Sequence, residues 1–338
     1  MNELQAAAKQ KLGDIVRIDE PMYRHTSLRV GGPAEIYARP RDEIELIQIL
    51  QFAKDNNIPF TVIGGGTNVV VSSAGILGIT LDPRGINDQI ERRFCDGDAE
   101  EWEVGAGVPT VKLVREAVQF ALKGAEVLAG VPGSVGGAVF MNAGGHVGEI
   151  KDVIIGVRIV DAQGARWLPV QEVGFSYRGS QFPKQSIITA VKMKLIKNQA
   201  STLSSFVQTH MKRRQLTQPL QQANAGSFFK NPKGDFAGRL IEQCGLKKTR
   251  IGSAEVSNIH ANFLVNWLPS GGQGASQDFV KLVDLVRQTL WDDRRVWLEF
   301  EVKFVGEFSS SEREVLTRSP VGEVTQPWLS HVVQKRVS

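Results

Sequence analysis

Residues 59–71 read PFTVIGGGTNVVV: a short β-rich run, three glycines, a Thr-Asn pair and three valines. The stretch decides between phosphate-binding folds. A dinucleotide fingerprint of the form G-x-G-x-x-G needs glycine at 69, where valine stands, and it must open a helix. A P-loop needs Gly-Lys-Ser/Thr, which is absent. Three consecutive β-branched residues after the turn predict a strand. The pattern is therefore strand, glycine turn, strand, and neither nucleotide fold fits it. Successive glycine amides still make a nest for an anion such as a pyrophosphate, with Thr67 and Asn68 adding donors. A tight hairpin is the plain structural alternative for a lone glycine triplet.

Half of the 34 glycines fall between Gly64 and Gly148. Residues 128–149, LAGVPGSVGGAVFMNAGGHVGE, form a second concentration with Ser134, Asn142 and few charges. A connection this glycine-dense is read as a long loop that turns its backbone towards a ligand. Two backbone-lined loops suggest a large, flat, phosphate-bearing cofactor, for which a flavin dinucleotide is the natural candidate.

Around these loops the chain alternates strands and helices. AEIYA at 34–38 predicts a strand. The helix that follows carries Ile44, Ile47, Leu50 and Ala53 near helical spacing, with acidic residues in its first turn. A second amphipathic helix at 110–122 is expected to bury Val111, Val114, Val118, Ala121 and Leu122. VIIGVRIVDAQGARWLPV reads as a hairpin turning at Asp161–Gly164. Further on, the pattern predicts helices at 201–214, over FAGRLIEQCG and at 277–291. It predicts a loop at 269–276, and strands over ANFLVN and at 296–305. In the last strand Leu298, Phe300, Val302 and Phe304 share one face, and Glu299, Glu301 and Lys303 the other.

Bulk properties bound the class. The chain has 338 residues, 42% hydrophobic and 22% charged, with a net charge of +4. Its length predicts more than one domain. The modest positive charge suits an anionic small ligand. The densest basic cluster, Lys212-Arg213-Arg214, is too short to predict nucleic-acid binding. Cys95 and Cys244 are the only cysteines and show no metal-ligand or disulfide spacing, so no metal is expected. MNELQAAAKQKLGDI lacks an apolar signal region, and no apolar run approaches membrane-helix length. A cytoplasmic protein with a small-molecule substrate is expected, without nucleic acid, membrane or obligate protein partner.

Two polar segments stand out. FSYRGSQF at 175–182 places Tyr177 beside Arg178, whose guanidinium suits a ligand carboxylate, though a surface arginine beside tyrosine is common. GSFFKNP at 226–232 sets Ser227 and Lys230 around two phenylalanines. A nucleophilic serine needs a base and usually a G-x-S-x-G elbow, and neither is present. What remains is a loop serine over packed aromatics, or a weak acid that gives its proton only to a strongly basic carbanion or enolate.

Taken in chain order, HTSLRVGGPAE, the glycine triplet, GVPGSVGGAVFMNAG, YRGS, AGSFFKNP, VSNIHANFLVN and EVKFVGE resemble the UDP-N-acetylenolpyruvoylglucosamine reductase (MurB) family. The match runs over nearly the whole chain, and AGSFFKNP and VSNIHANFLVN are its most specific parts. The resemblance implies an α+β fold: a two-lobed FAD-binding domain of the vanillyl-alcohol-oxidase-like (PCMH) type, then a smaller α+β substrate domain. The corresponding boundaries are an N-terminal segment at 1–20 and an FAD-binding domain at 21–198, with lobes at about 21–80 and 81–198. A substrate-binding domain at 199–306 and a flexible tail at 307–338 complete the chain.

The implied activity is reduction of UDP-N-acetylglucosamine enolpyruvate to UDP-N-acetylmuramate in peptidoglycan precursor synthesis. FAD would be the cofactor and NADPH the hydride donor. Ser227 maps onto the proton donor at C2, Arg178 onto the residue that polarises the carboxylate, and Glu301 onto the acidic group beside the enol-like intermediate. Cofactor contacts map onto Gly64, Gly65, Gly66, Thr67, Asn68 and Val69, and onto Pro132, Gly133, Ser134, Gly136, Gly137 and Asn142. Substrate contacts map onto Tyr177, Lys230, Asn231, Arg213, Arg214 and Asn262.

The chain departs from the family pattern at Gly179, where Asp is commoner, at Lys303, where Arg is commoner, and in GTN for GSN. The spacing of Arg178 and Ser227 resembles the shorter type II branch. Two other readings stand beside this one. An FAD-dependent alcohol or sugar oxidase of the same superfamily leaves GSFFKNP and HANFLVN unexplained. A non-catalytic nucleotide-sugar-binding protein has no need of Ser227, Arg178 and Glu301 together.

Overall fold

The strands on either side of the glycine triplet take different partners, so PFTVIGGGTNVVV is not a hairpin. In the computed structural model, Phe60–Val62 is followed by Ile63, whose amide donates to Leu81 O at 2.9 Å. Val69–Val71 instead pairs parallel with Lys303–Val305, Val69 opposite Lys303. The structure describes residues 1–145, 147–268 and 272–320. Its α-helices, in chain order, are α1 (Glu3–Leu12), α2 (Glu43–Asp55), α3 (Thr110–Gln119), α4 (Val135–Phe140), α5 (Ala200–Thr217), α6 (Ala237–Gln243), α7 (Ser276–Arg294) and α8 (Ser310–Thr317).

Contacts divide the chain into two units that do not follow chain order. The first holds Met1–Arg17, Tyr37–Gly65 and Thr80–Arg214; the second holds Ile18–Ile36, Gly66–Ile79 and the residues from Gln215 onward. Residues 21–36 and 66–79, expected within the FAD-binding region, thus group with the C-terminal residues. The parallel pairing of Val69–Val71 with Lys303–Val305 shows why, because a buried ladder of this kind binds its strands into one core.

The first unit is built on a largely antiparallel sheet. Its strand order is Gly164–Pro169, Ile154–Asp161, Ile187–Lys197, Ala99–Gly105, Ile90–Asp96, with Leu122–Lys123 also against Ile187–Lys197. The expected hairpin is present, with Asp161 opposite Gly164. Trp102, Val104, Val157, Ile159, Val191 and Met193 are fully buried beneath α3 and α4. Helix α2 is fastened by Glu43, which accepts twice from Arg158 at 2.8 Å and once from Thr189 Oγ1 at 2.7 Å.

Both helical faces differ from the sequence expectation by a rotation. Helix α2 buries Leu46, Ile49, Leu50 and Ala53 and leaves Ile44 68% exposed. Helix α3 buries Leu113, Val114 and Ala117 and exposes Val111. In each case the stripe at i, i+3/i+4 and i+7 sets the buried face, and an apolar residue in the first turn lies outside it. Helix α3 also stops at Gln119: Ala121 takes φ 56° and Leu122 enters a strand.

The second unit has a four-stranded sheet in the order Ala223–Ser227, Phe263–Asn266, Ala254–Val256, Arg250–Ile251. Helices α6 and α7 cover a core that includes Phe228, Phe229, Phe279, Phe300 and Phe304. Residues 296–302, expected as strand, form no ladder apart from the bridge Phe229–Phe300. Their burial still alternates: Leu298, Phe300 and Val302 are inside, whereas Glu299 is exposed and Glu301 half-buried.

Two further expectations are corrected. The stretch 128–149 is not loop throughout, because Ser134 caps α4 by accepting from Gly137 N. The segment after Gly306 is not tail from its start. Ser309 and Glu312 close a capping box on α8, and Phe308 and Leu316 are buried. The rest of the expected tail, 321–338, and the start of the expected loop, 269–271, lie outside the described residues.

Candidate active site

The two glycine loops of the first unit lie against each other. A Cβ on Gly65 would stand 2.8 Å from Gly133 Cα, and one on Gly64 would stand 3.0 Å from Ser134 Oγ. Only glycine permits this approach. Among the described residues, the amides of Gly64 and Gly65 are not spent on backbone partners. Adjacent unspent amides at a side-chain-free surface suit a phosphate anion, so these residues fit the expected cofactor. Gly136 has a different task. Its amide donates to Ala106 O at 2.9 Å, and a Cβ there would meet Ala106 Cβ. It packs α4 onto the sheet and offers no donor.

Asn142 is fully buried, and its carboxamide is committed to protein groups. Nδ2 donates to Glu149 Oε2 at 2.8 Å and to Ser176 O at 2.9 Å; Oδ1 accepts from Lys151 N at 3.4 Å. It therefore anchors the turn Ser176–Gly179 and does not present itself to a cofactor. Within that turn Arg178 takes φ 56°, its Nη2 donates to Gly144 O at 2.9 Å, and its guanidinium lies 5.1 Å from the Tyr177 ring centroid. Tyr177 is 48% exposed, so the pair stands at the surface with its donors directed by the turn.

Arg213 and Arg214 do not act as one patch. They are successive on α5, about 100° apart around the helix, and Arg213 is exposed whereas Arg214 turns inward. The Arg214 side chain lies against Gly130, where a Cβ would come within 2.6 Å of its Cδ. Its Nε is buried without a hydrogen bond, and burial pushes its pKa down.

In the second unit the remaining candidates converge on GSFFKNP. Ser227 ends the strand Ala223–Ser227, opposite Phe263. It is half-buried, and among the described residues its hydroxyl makes no hydrogen bond. Phe228 and Phe229 are fully buried and hold the segment down. The Glu301 amide donates to Phe228 O at 2.9 Å, which sets Glu301 beside the Phe228–Phe229 peptide, one residue past Ser227. The Lys230 amide donates to Glu299 O at 2.8 Å, and its Nζ pairs with Glu299 Oε2 at 3.3 Å. Glu299 is thus the partner of Lys230, and Glu301 is the one tied to Phe228, the residue after the serine.

Asn262 is 3% exposed and holds Phe229 from both sides, accepting from its N at 3.0 Å and donating to its O at 2.8 Å. The carboxamide is thus engaged at both ends as a clamp on Phe229, a task the sequence assignment to substrate did not foresee. Asn231 Oδ1 accepts from Ala237 N at 3.0 Å and so tethers the first turn of α6. Asn68 Nδ2 donates to Glu301 O at 3.2 Å, its carbonyl accepts from Lys303 N, and Val69 sits in the ladder with Lys303. Gly66 needs its φ of 63°, and any Cβ there would strike His25 O.

Lys303 was not among the sequence candidates. Burial, with Lys230 adding to the effect, lowers its pKa to about 8, while Glu301 acts the other way. The alternation of Glu299, Glu301 and Lys303 was the signal that pointed to it.

The fold and these two residue groups define a flavin-binding oxidoreductase of the two-part type. Residues 34–167 match the FAD binding domain family, and residues 218–305 match the UDP-N-acetylenolpyruvoylglucosamine reductase C-terminal domain. A UDP-N-acetylenolpyruvoylglucosamine reductase of Anaeromyxobacter sp. (strain Fw109-5) is 39% identical over 305 residues, 90% of this chain and 92% of that protein. A relative of the same name, reductase 2 of Symbiobacterium thermophilum, is 41% identical over 86% of this chain and 92% of its own. The crystal structure of the Thermus caldophilus enzyme (MurB) superposes with a TM-score of 0.70 at 31% identity, covering 86% of this chain and 98% of that one. The chain belongs to the UDP-N-acetylenolpyruvoylglucosamine reductase family.

Proposed function

We propose that this chain reduces the enolpyruvyl ether of UDP-N-acetylglucosamine to UDP-N-acetylmuramate, a step of peptidoglycan precursor synthesis, at the expense of NADPH. The observation that supports the reading is a half-buried Ser227 hydroxyl that makes no hydrogen bond among the described residues, in a segment whose next residue, Phe228, accepts the Glu301 amide. FAD, when bound, would supply the hydride chemistry between NADPH and C3 of the enolpyruvyl group. Gly64, Gly65, Gly133 and Ser134 would hold its phosphates through the backbone.

Hydride addition at C3 leaves electron density on C2 and its carboxylate. The Ser227 hydroxyl then supplies the proton to C2, a transfer available to so weak an acid only because the acceptor is a carbanion-like enolate. Arg178 pairs with the substrate carboxylate and favours the charge that builds there. Glu301 lies beside the reacting group, with Lys303 and Lys230 providing positive charge nearby. Lys230 and the exposed Arg213 suit the diphosphate. A cytoplasmic setting fits this substrate, and among the described residues no helix is long and apolar enough to cross a membrane.

The test is spectral. The purified protein should be yellow, should bleach with NADPH under anaerobic conditions and should recover its colour when the enolpyruvyl ether is added. A protein that binds no FAD on reconstitution, or one whose reduced flavin ignores that ether, contradicts the reading.

A further inference from the structure

Arg287, in the middle of α7, is 2% exposed and forms no ion pair among the described residues. A buried, unpaired guanidinium is a costly way to fill space, since an apolar chain of the same length would serve a passive core better. Its contacts show what it holds. The guanidinium carbon lies 3.9 Å from the Trp297 ring centroid and 4.6 Å from that of Phe300. Nη1 donates to Val315 O at 3.3 Å and Nη2 to Arg318 O at 2.8 Å. These carbonyls belong to the last turn and cap of α8, where the helix dipole favours a cation. Arg318 in turn pairs with Asp284 of α7.

From this cation a buried aromatic row leads to the reacting segment. Phe300 stacks on Phe229 with centroids 5.5 Å apart, and the two residues are bridged through their backbones. Phe229 follows Phe228, whose carbonyl accepts the Glu301 amide. Residues 296–302 have no ladder of their own, so a few backbone bonds at Glu299 and Glu301 together with the packing of Phe300 set their position.

We propose that Arg287 is a positioning residue: anchored on α8, it fixes Phe300 and thereby keeps Glu301 in register with Phe228, the residue after Ser227. This rests on the catalytic reading of Ser227 and Glu301 given above. It also gives α8 a task in the reaction, as the abutment against which the guanidinium is held.

The test uses the full-length holoenzyme with Arg287→Met, Arg287→Lys and Leu316→Ala, the last loosening buried Leu316 of α8 without touching the cation. Amide hydrogen exchange reads the positions of Lys230 and Glu301, and stopped-flow absorbance reads the two half-reactions separately. In Arg287→Met the two amides should exchange about tenfold faster while those of Ala99–Gly105 stay as they were. Flavin reoxidation by the enolpyruvyl ether should slow by roughly ten- to a hundredfold, as for a misplaced catalytic group, with NADPH reduction within about twofold of wild type. Arg287→Lys should recover part of the loss, and Leu316→Ala should reproduce the exchange effect more weakly.

Unchanged exchange at Lys230 and Glu301 in Arg287→Met overturns the proposal, as does an equal loss in both half-reactions. Should Arg287→Met fail to fold, the same exchange criterion applies to Arg287→Lys and Leu316→Ala. If wild-type reduced flavin does not respond to the ether, the functional reading fails instead, and exchange alone decides the positioning role.

Discussion

Asn262 grips the peptide of Phe229 by both ends of its carboxamide, Nδ2 donating to the carbonyl at 2.8 Å and Oδ1 accepting from the amide at 3.0 Å. The residue thus acts as a substitute strand for a segment that leaves the sheet at Ser227, and it lets two phenylalanines descend into the core while the serine stays half-exposed. Removing the carboxamide leaves two buried backbone groups unpaired, each at roughly 1–3 kcal/mol. Asn262→Ala should therefore lower unfolding free energy by about 2–6 kcal/mol in chemical denaturation. Asn262→Asp keeps the acceptor and should fall between the two. A loss below about 1 kcal/mol for Asn262→Ala would show that the clamp is replaced by other partners.

The approach of Gly65 to Gly133 gives a prediction about the cofactor. Gly65 does not need a positive φ, so alanine there meets a contact problem, a Cβ at 2.8 Å from Gly133 Cα, and no backbone strain. Gly65→Ala should force the two loops apart, at some cost in melting temperature, and bind FAD about ten- to a hundredfold more weakly, a change of roughly 1.4–2.8 kcal/mol. Titration of the apoprotein by quenching of flavin fluorescence measures this directly. Wild-type affinity would remove the two loops from the flavin site.

Lys303 gives a pH signature. Burial depresses its folded pKa to about 8 from an ordinary 10.5, so between these values the unfolded chain binds more protons than the folded one. Stability from this group therefore rises as pH climbs from about 8 towards 10.5, and below pH 8 the buried charge is a constant penalty. Denaturation curves of wild type and Lys303→Met should differ by a constant amount below pH 8. Above it the difference should shift in favour of wild type. A difference that stays flat up to pH 10.5 contradicts the depressed pKa.

Much of this architecture was legible from the chain, for reasons that are local. GGGTNVVV announced a strand after the turn because three β-branched residues in succession disfavour helix. The Asp161–Gly164 hairpin was legible from its turn residues. The alternation of residues 298–304 was legible as a buried and a polar face, since side-chain burial has a local period. Its lack of a ladder was not, because a hydrogen-bonded partner is a long-range fact. The faces of α2 and α3 were misjudged by Ile44 and Val111, apolar residues that the structure leaves in water.

The candidate site shows the same division. Ser227, Arg178 and Glu301 drew notice as polar residues in their own segments, but local reading left their tasks open and the roles came from the family resemblance. The tasks of Asn262, Asn142 and Asn231 as braces were not legible, because an asparagine reads alike whether it faces a ligand or a buried peptide. Arg287 was silent for a similar reason. A charged residue within an amphipathic helix reads as its solvent face, and only Trp297, Phe300 and the end of α8 reveal otherwise.

The central claim is that Ser227 delivers the proton that completes reduction, and the Ser227→Ala holoenzyme tests it most directly. Anaerobic stopped-flow absorbance separates bleaching by NADPH from recovery of colour with the enolpyruvyl ether. Bleaching should proceed at the wild-type rate, and recovery should slow by about 10²–10⁴-fold, the usual worth of a positioned proton donor. Recovery at the wild-type rate would contradict the account.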